Sequence, residues 1–341
     1  MTTGFGRTER FETVVIGAGQ AGLATGYHLA RFDADFIILD RAAQPGESWR
    51  RRWDSLRLFT PARYSSLPGM PFPAPPNHLP DKDEVAAYLI AYATRFDLPV
   101  RGNATVDALD WDGTRFLLTV GPQRIEADQV VAATGGFAEP IIPAGASRLA
   151  PEIVQLTSTE YSNPFGLPPG PVLVVGAGNS GAQIALEVSR FRKVWLAGRD
   201  TGYLPRRILG RDLFDWIWPL ISRVPLDTWL GRRITHRTGG DALIGIPRQS
   251  LPAAGIVRVG RFTGASEGLP VCGSEVLEPA TIIWCTGLTP AHAWIRIGHN
   301  TPGLHFVGLP NQRRIASALI GGVGADAEVF AAAVAGRAGG S

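Results

Sequence analysis

Two glycine-rich segments with the spacing Gly-x-Gly-x-x-Gly occur in this chain of 341 residues. Their glycines are Gly17, Gly19 and Gly22 in the first segment and Gly176, Gly178 and Gly181 in the second. Each segment follows a short β-branched strand pattern and leads into an apolar helical pattern, which is the context of a dinucleotide-binding turn. The first glycine permits a sharp turn, the second lets the backbone approach a pyrophosphate, and the third lets the helix pack on the strand. The sequence therefore predicts two dinucleotide-binding sites in one chain.

The residue that ends the second strand of each unit distinguishes the two sites. Asp40 lies 23 positions after Gly17, where a carboxylate accepts hydrogen bonds from an unphosphorylated ribose, as in FAD or NAD. Arg199 lies 23 positions after Gly176, where a guanidinium pairs with a ribose 2′-phosphate, as in NADPH. A solvated surface role for Arg199 is the alternative, and the neighbouring Asp200 keeps NADH use open.

Composition and charge exclude several classes of protein. The formal net charge is only +3, and no basic run interleaves with aromatic residues beyond Arg50 to Arg52, so no nucleic-acid partner is indicated. Cys272 and Cys285 lack Cys-x-x-Cys spacing, which argues against a dithiol relay. The six histidines show no metal-ligand spacing, so no metal site is predicted.

The N-terminal residues show no export leader, and the longest apolar stretch after the second glycine segment, 213–221, is too short to span a bilayer. We therefore expect a cytoplasmic protein without a transmembrane segment. The aromatic segment 213–229 has three possible roles: it walls a substrate channel, it touches a membrane surface, or it forms a buried helix in an insertion.

Two similar strand endings, Thr134-Gly135 and Thr286-Gly287, indicate where the chain leaves each dinucleotide unit. The predicted fold class is α/β, with two Rossmann-like dinucleotide-binding domains in a glutathione-reductase-like arrangement. Residues 1–140 plus 288–341 would form the FAD-binding domain, and residues 150–285 the NAD(P)H-binding domain inserted between them. The last strand is expected at 303–308 and a closing helix at 316–335.

These motifs resemble those of bacterial flavin-containing monooxygenases, a family related to the YUCCA and Baeyer–Villiger monooxygenases. The resemblance covers nearly the whole chain. It is carried by both glycine segments, by Asp40-Arg41 and Arg199, by both Thr-Gly strand ends, and by the segments 45–49 and 55–60. It implies that the cofactors are FAD and NADPH.

Motifs and resemblance together predict a set of cofactor-binding residues. On the FAD side they are Gly17, Gly19, Gln20, Ala21, Gly22, Asp40, Arg41, Gly46, Trp49, Thr60, Val106, Thr134, Gly135 and Asn311. On the NAD(P)H side they are Gly176, Gly178, Asn179, Ser180, Gly181, Arg199, Thr286 and Gly287. Trp49 is equally compatible with an ordinary core position, and Asn311 would replace an acidic residue of the family as a flavin hydrogen-bonding group.

The chain also departs from the family pattern at two positions. The Baeyer–Villiger histidine would fall at Thr157, so lactone-forming activity is put in doubt. The asparagine that many N- and S-oxygenating members place beside the flavin would fall at Phe59, which therefore occupies the family's catalytic position.

The expected function is that of an FAD-dependent, NADPH-using monooxygenase. It would insert one oxygen atom from O₂ into a small soft nucleophile, a sulfide or an amine, through a C4a-(hydro)peroxyflavin. One alternative is an NAD(P)H oxidase or diaphorase that passes electrons from FAD to O₂ or a quinone. A second alternative is a non-catalytic dinucleotide-binding sensor. The partners are thus a small-molecule substrate and O₂, and the oligomeric state stays open, with a homodimer as one possibility.

Overall fold

A computed structural model of the chain describes residues 8–237, 242–247 and 249–338. The first part of the chain forms, in order, β1 (Glu9–Ile16), α1 (Gln20–Arg31), β2 (Phe36–Leu39), α2 (Glu47–Arg50), α3 (Lys82–Arg95), β3 (Val100–Arg101), β4 (Ala108–Trp111), β5 (Phe116–Val120), β6 (Gln123–Ala132) and β7 (Glu139–Pro140). A 3₁₀ turn at Ala62–Tyr64 interrupts the proline-rich loop between α2 and α3.

The middle of the chain forms β8 (Val154–Thr157), β9 (Val172–Val175), α4 (Asn179–Val188), β10 (Val194–Ala197), β11 (Tyr203–Leu204), β12 (Arg207–Ile208), β13 (Arg211–Asp212), α5 (Leu213–Arg223), α6 (Trp229–Arg237), β14 (Leu243–Ile244) and α7 (Ser250–Ala253). The remainder forms β15 (Val257–Val259), β16 (Phe262–Ser266), β17 (Leu269–Cys272), β18 (Glu275–Val276), β19 (Thr281–Trp284), β20 (Leu288–Thr289), β21 (Leu304–Phe306) and α8 (Ile320–Ala338). Three further 3₁₀ turns lie at Ala144–Arg148, Pro164–Gly166 and Ile315–Ala318.

The first sheet places β1 at its centre, between β2 and β6. Strands β3, β2, β1 and β6 run parallel, and β5 and β4 continue the order as an antiparallel extension. Strand β6 is long enough to pair with β5 through its first half and with β21 through its second half. The chain therefore returns to this sheet with β21, near its C-terminus.

The second sheet is parallel throughout, in the order β15, β10, β9, β19 and β8. Its central strands are fully buried and apolar except for Thr281, as expected where helices or loops cover both faces of a parallel sheet. Because β9 lies between β10 and β19 as β1 lies between β2 and β6, the two glycine segments occupy equivalent positions. The two sheets confirm the predicted α/β class with Rossmann-like units.

The first sheet takes its strands from residues 9–132 and 304–306, and the second takes its strands from residues 154–284. A two-stranded pair, β7 with β20, lies where the chain passes between them. The division into an FAD-binding and an NAD(P)H-binding domain stays a prediction. None of the helices within the described ranges combines the length and the hydropathy that crossing a bilayer requires.

The C-terminal helix differs from the prediction in its start. Instead of one helix over 316–335, the structure has the 3₁₀ turn Ile315–Ala318 followed by α8. Gly322 explains this junction, because a Cβ there would lie 2.1 Å from the Ala316 carbonyl oxygen. Glycine therefore lets the turn fold back tightly on the first turn of α8.

Candidate active site

The first glycine segment forms a tight turn between β1 and α1. Gly17 has φ +107°, and a Cβ on it would lie 2.6 Å from the carbonyl oxygen of Ala133 at the end of β6. A Cβ on Gly22 would lie 1.7 Å from the Gly17 carbonyl oxygen, so α1 packs directly on the turn. At Gly19, which precedes α1, a Cβ would meet nothing within 4 Å. The turn thus leaves open space at the start of α1, where backbone N–H groups favour an anion.

Asp40 faces this turn from the end of β2. Its carboxylate accepts hydrogen bonds from the backbone N–H of Ala18 at 2.5 Å and from that of Ala42 at 2.7 Å. The sequence offset between Asp40 and Gly17 therefore corresponds to a direct contact between the strand end and the glycine segment. A carboxylate in this position is available to accept hydrogen bonds from a ribose.

The second glycine segment repeats the geometry of the first. Gly176 has φ +111°, and a Cβ on it would lie 2.0 Å from the carbonyl oxygen of Cys285 at the end of β19. A Cβ on Gly181 would lie 1.8 Å from the Gly176 carbonyl oxygen, whereas one on Gly178 would meet nothing within 4 Å. The two turns therefore leave open space in the same place, next to the middle glycine of each segment.

Arg199 is exposed at the carboxyl end of β10, next to a second arginine that the sequence analysis missed. The guanidinium of Arg258, on β15, donates to the carbonyl oxygens of Gly198 and Arg199 at 3.2 and 3.0 Å. Only the parallel pairing of β15 with β10 brings these residues together, so no local pattern could have indicated it. The Asp200 carboxylate accepts a hydrogen bond from the Gly202 backbone N–H at 2.9 Å.

The start of α4 is tied to a distant part of the chain. The amide of Asn179 donates to the Ala242 carbonyl oxygen at 3.1 Å and accepts from the Ile244 backbone N–H at 2.9 Å. On the same helix, Gln183 pairs with both backbone groups of Arg57, at 3.1 and 3.3 Å. Helix α4 therefore joins the second sheet to the loop that precedes Phe59.

Trp49 lies on α2, half-buried between two hydrophobic clusters. Its indole N–H donates to the side-chain oxygen of Gln20, the first residue of α1, at 3.2 Å. Gly46, just before α2, has φ +80°, and a Cβ there would lie 2.8 Å from the Ala86 backbone. The structure thus brings Trp49 against the first glycine segment, and a purely core role does not account for its polar contact.

The two Thr-Gly strand ends adopt similar left-handed glycine conformations, with φ +78° at Gly135 and +105° at Gly287. The Thr134 hydroxyl is buried and has no hydrogen-bond partner among the described residues. The Thr286 hydroxyl donates to the Ile141 carbonyl oxygen, across the connection between the sheets. Thr134 therefore offers a free polar atom beside the first glycine segment, whereas Thr286 contributes to the link.

Phe59 belongs to a group of aromatic side chains that we name the aromatic wall: Phe59, Tyr64, Phe214 and Trp218. The rings of Phe59 and Phe214 stack, with centroids 6.1 Å apart and an angle of 15° between planes. Tyr64 lies 5.1 Å from Trp218 and 6.2 Å from Phe214, between ring centroids. Half of this wall comes from α5, so the segment 213–229 contributes side chains next to the predicted catalytic position.

Charged groups behind the aromatic wall fix its position. The Asp215 carboxylate accepts hydrogen bonds from the Tyr64 hydroxyl at 2.7 Å and from the Arg63 guanidinium at 2.5 Å, and these bonds lower the pKa of Asp215. Arg206 pairs with Asp212 at 2.7 Å and donates to the Phe59 carbonyl oxygen. The sequence analysis missed these groups, because Arg63 and Asp215 are 152 positions apart.

The remaining predicted residues are divided between buried and exposed positions. Thr60 is buried, with its hydroxyl 3.0 Å from that of Ser65, and Val106 is buried in the core beside the first sheet. Asn311 is exposed in a turn with φ +53°, and Arg41 is exposed after β2. Their roles toward a flavin stay predictions. Ala21 is buried on α1 and Ser180 is exposed on α4, each next to a glycine of its segment.

The two cysteines are free thiols in the structure. Burial raises the pKa of Cys272 to about 11 and that of Cys285 to about 12. Both are therefore protonated near neutral pH, and a thiol is a poor nucleophile compared with a thiolate. These properties do not suit a dithiol relay.

Comparison with known proteins shows the family to which this chain belongs. The model of the pyridine nucleotide-disulphide oxidoreductase family matches residues 14–221. A protein of Geobacillus kaustophilus named "Uncharacterized oxidoreductase CzcO-like" is 39% identical over 336 residues, which cover 93% of this chain and 96% of that protein.

Two named monooxygenases are also similar. The rice (Oryza sativa subsp. japonica) indole-3-pyruvate monooxygenase YUCCA4 is 35% identical over 70% of this chain, and the match spans only 60% of the rice protein. The solved structure of a flavin-containing monooxygenase from Stenotrophomonas maltophilia matches with a TM-score of 0.77 and 28% identity, over 97% of this chain and all of that one.

Two equivalent glycine turns, one in each of the two main sheets, together with these relatives, define a flavin-dependent oxidoreductase with two dinucleotide-binding units. The chain belongs to the pyridine nucleotide-disulphide oxidoreductase family and, within it, to the flavin-containing monooxygenases.

Proposed function

We propose that this protein is an FAD-dependent monooxygenase that uses NADPH and transfers one oxygen atom from O₂ to a sulfide or amine of a small molecule. The observation that carries the proposal is the duplicated glycine turn. In each turn the middle glycine faces open space, while the first and third glycines are packed against backbone atoms. A chain that retains both turns in this form has the means to bind a flavin dinucleotide and a nicotinamide dinucleotide together.

The residues at the first turn fit the adenosine and pyrophosphate parts of FAD. The space beside Gly19 would take the pyrophosphate, Asp40 would accept from the ribose, and the unpartnered Thr134 hydroxyl would gain a polar neighbour. When bound, FAD supplies the hydride acceptance and oxygen activation that amino-acid side chains do not provide. The protein's own contribution is to bind, orient and shield.

NADPH is proposed at the second turn because the end of β10 is positively charged. Arg199 is exposed there, and Arg258 fixes the adjoining backbone by donating to two of its carbonyl oxygens. A guanidinium in this position pairs with a 2′-phosphate through charge-assisted hydrogen bonds, which NADH does not offer.

The aromatic wall favours a substrate that carries apolar surface next to its reacting atom. Phe59 and Phe214 present stacked rings, and such an apolar wall would help to exclude water from its side of the site. Sulfides and amines combine a nucleophilic atom with such apolar surface, and they require no acid or base from the protein to accept an oxygen atom.

One observation favours a second function, that of an NAD(P)H oxidase or reductase. The aromatic ring of Phe59 stands at the position where many oxygenating relatives carry an asparagine, so a polar side chain is missing from this position. In that case electrons would pass from NADPH through FAD to O₂ or a quinone, and no oxygen would enter a substrate.

The experiment that tests the proposal measures the fate of both oxygen atoms. The purified flavoprotein is supplied with NADPH and ¹⁸O₂, in separate reactions with thioanisole, N,N-dimethylaniline and indole-3-pyruvate, and the products, H₂O₂ and NADPH are quantified. One ¹⁸O per sulfoxide or N-oxide, in step with NADPH consumed, supports the proposal. H₂O₂ equal to NADPH with every probe indicates the oxidase. Turnover of indole-3-pyruvate alone would keep the monooxygenase and contradict the sulfide or amine assignment.

A further inference from the structure

Helix α5 exposes an apolar stripe on the side that faces away from the aromatic wall. Trp216, Pro219, Leu220 and Arg223 follow each other at helical spacing, and all four are exposed. Trp216 is 47% exposed and Leu220 37% exposed, although both are large apolar side chains. The opposite face of the same helix is engaged, since Phe214 is 1% exposed.

The hairpin of β12 and β13 extends this stripe. Leu209 is 88% exposed at its tip, and the preceding Ile208 is 37% exposed. The Trp216 indole N–H donates to the Ile208 carbonyl oxygen at 3.3 Å, so hairpin and helix form one surface. We name it the hairpin–helix surface, consisting of Ile208, Leu209, Trp216 and Leu220.

The tip of the hairpin holds its apolar side chain at a conformational cost. Leu209 has φ +52° and the following Gly210 has φ +76°. Two positive φ angles in a two-residue hairpin loop favour Asn-Gly or Asp-Gly, and leucine is disfavoured in the first of these positions. Leu209 is thus held in a strained conformation although its side chain adds little to the packing of the chain.

Positive charge surrounds the apolar surface. The segment 203–237 contains seven arginines and three aspartates, a net charge of +4, whereas the whole chain carries only +3. Arg207, Arg211 and Arg223 are exposed, and the Arg211 guanidinium lies 5.7 Å from the centre of the Trp216 ring. Basic charge is therefore concentrated around the hairpin–helix surface.

From this combination we propose that the hairpin–helix surface docks on the interface of a lipid bilayer that contains anionic headgroups. Tryptophan is favoured at the boundary between headgroups and acyl chains, and arginine is attracted to an anionic leaflet. Exposed apolar patches rimmed by polar or charged residues are typical of surfaces that bind a membrane or a protein. The charge selects the partner, because a bilayer with anionic lipids complements the arginines while its interior accepts Leu209 and Trp216. The docking does not depend on the reaction that the enzyme catalyses.

Vesicle co-sedimentation of the purified full-length flavoprotein tests the proposal. The probes are vesicles of equimolar phosphatidylcholine and phosphatidylglycerol, compared with vesicles of phosphatidylcholine alone. We expect binding to the anionic vesicles only. The double variant Leu209→Gln, Trp216→Gln should lower the partition coefficient at least about tenfold for each apolar side chain removed. Arg211→Gln should lower it about fivefold, since one basic residue near an anionic surface contributes about that factor.

A matched control removes a different exposed aromatic pair. Phe165 and Phe191 are 77% and 54% exposed and contact each other at 5.1 Å between ring centroids, on the 3₁₀ turn 164–166 and after α4. Changing both to Gln should leave vesicle binding unchanged, and retained yellow flavin in every variant shows that the fold is intact.

Several outcomes would overturn the proposal. These are no binding to anionic vesicles, equal binding to both compositions, loss of binding in the Phe165 and Phe191 control, and wild-type binding by the Leu209 and Trp216 variant. The same variant is also examined by sedimentation velocity without lipid. A wild-type dimer that this variant converts to a monomer, together with absent vesicle binding, would identify a second copy of the chain as the occupant.

Discussion

Alanine substitutions in the glycine turns distinguish glycines that the packing of the turn requires from glycines that leave room for a ligand. A Cβ on Gly22 would lie 1.7 Å from the Gly17 carbonyl oxygen, less than the separation that any non-bonded pair tolerates. Helix α1 would have to move away from β1, and overpacking of this kind costs about 1–3 kcal/mol or more. We therefore expect Gly22→Ala to lower the free energy of unfolding of the apoprotein by at least that amount.

Gly19→Ala should behave in the opposite way. Its Cβ would meet nothing within 4 Å, and φ −79° with ψ −172° suits alanine. Reduced entropy of the unfolded chain gains about 0.4–1 kcal/mol, and alanine's weakness as an N-cap costs about as much. The apoprotein should therefore keep its stability to within about 1 kcal/mol. The same methyl group would occupy the space proposed for the FAD pyrophosphate, so the affinity for FAD should fall at least about tenfold, or about 1.4 kcal/mol.

The assay combines two measurements on each variant: urea unfolding of the deflavinated protein, and titration with FAD and with NADPH to obtain the two dissociation constants. The second turn provides the matched pair, since Gly181 and Gly178 repeat the 1.8 Å contact and the open space. Gly178→Ala should lose NADPH binding and keep its flavin. A Gly19→Ala protein that binds FAD as tightly as the wild type does would refute the reasoning, because the open space beside Gly19 would then not be the space that the ligand occupies.

Three further predictions concern single side chains. Arg199→Ala should raise the KM for NADPH by a factor equivalent to roughly 2–3 kcal/mol while leaving that for NADH nearly unchanged, and equal changes in steady-state kinetics would contradict the 2′-phosphate assignment. Arg314→Met should lower the free energy of unfolding by about 3–5 kcal/mol in a urea titration, because it leaves the fully buried Asp326 without its nearest cation. Arg313 is the control, since its side chain is 45% exposed and lies 4.0 Å from the same carboxylate. Arg313→Met should lower the free energy of unfolding by at most about 1 kcal/mol. Burial lowers the pKa of His28 below its unfolded value near 6.5, so the stability that neutral His28 provides is present above that pH and is lost as the pH falls further. His28→Gln should therefore reduce the loss of unfolding free energy measured between about pH 7 and pH 5. If the dependence of unfolding free energy on pH does not change, the loss belongs to other groups.

The sequence was sufficient to predict what local chain geometry determines. Each glycine turn is built within six residues, and the contact between Gly22 and the Gly17 carbonyl oxygen depends only on that spacing. The offset of Asp40 from Gly17 also follows from one strand, one turn and one helix of ordinary length. For these reasons the α/β class and the two dinucleotide turns could be predicted from single segments.

Contacts across the sheets could not be predicted in this way. Arg258 reaches the Arg199 carbonyl oxygen only because β15 pairs with β10, and Asp215 meets Arg63 only because α5 packs beside the turn at 62–64. Neither pair has a sequence spacing that distinguishes it from other arginines and aspartates in the chain. The substrate side of the site and the surroundings of Arg199 therefore required the tertiary structure, whereas the two glycine turns did not.

Helix α5 shows why pattern alone fails there. Its sequence has a wide apolar face, with Asp215, Ser222 and Arg223 on the other side, and an apolar face of this width is ordinarily expected to be buried. The structure instead buries Phe214 against Phe59 and leaves Trp216 exposed two residues later. Polar pairing decides between the faces: Asp215 bonds Tyr64, which fixes the rotation of the helix, so the outer apolar residues have no place in the core. The exposed stripe is thus a consequence of how the aromatic wall is held, and one helix serves the proposed site with one face and a proposed lipid surface with the other.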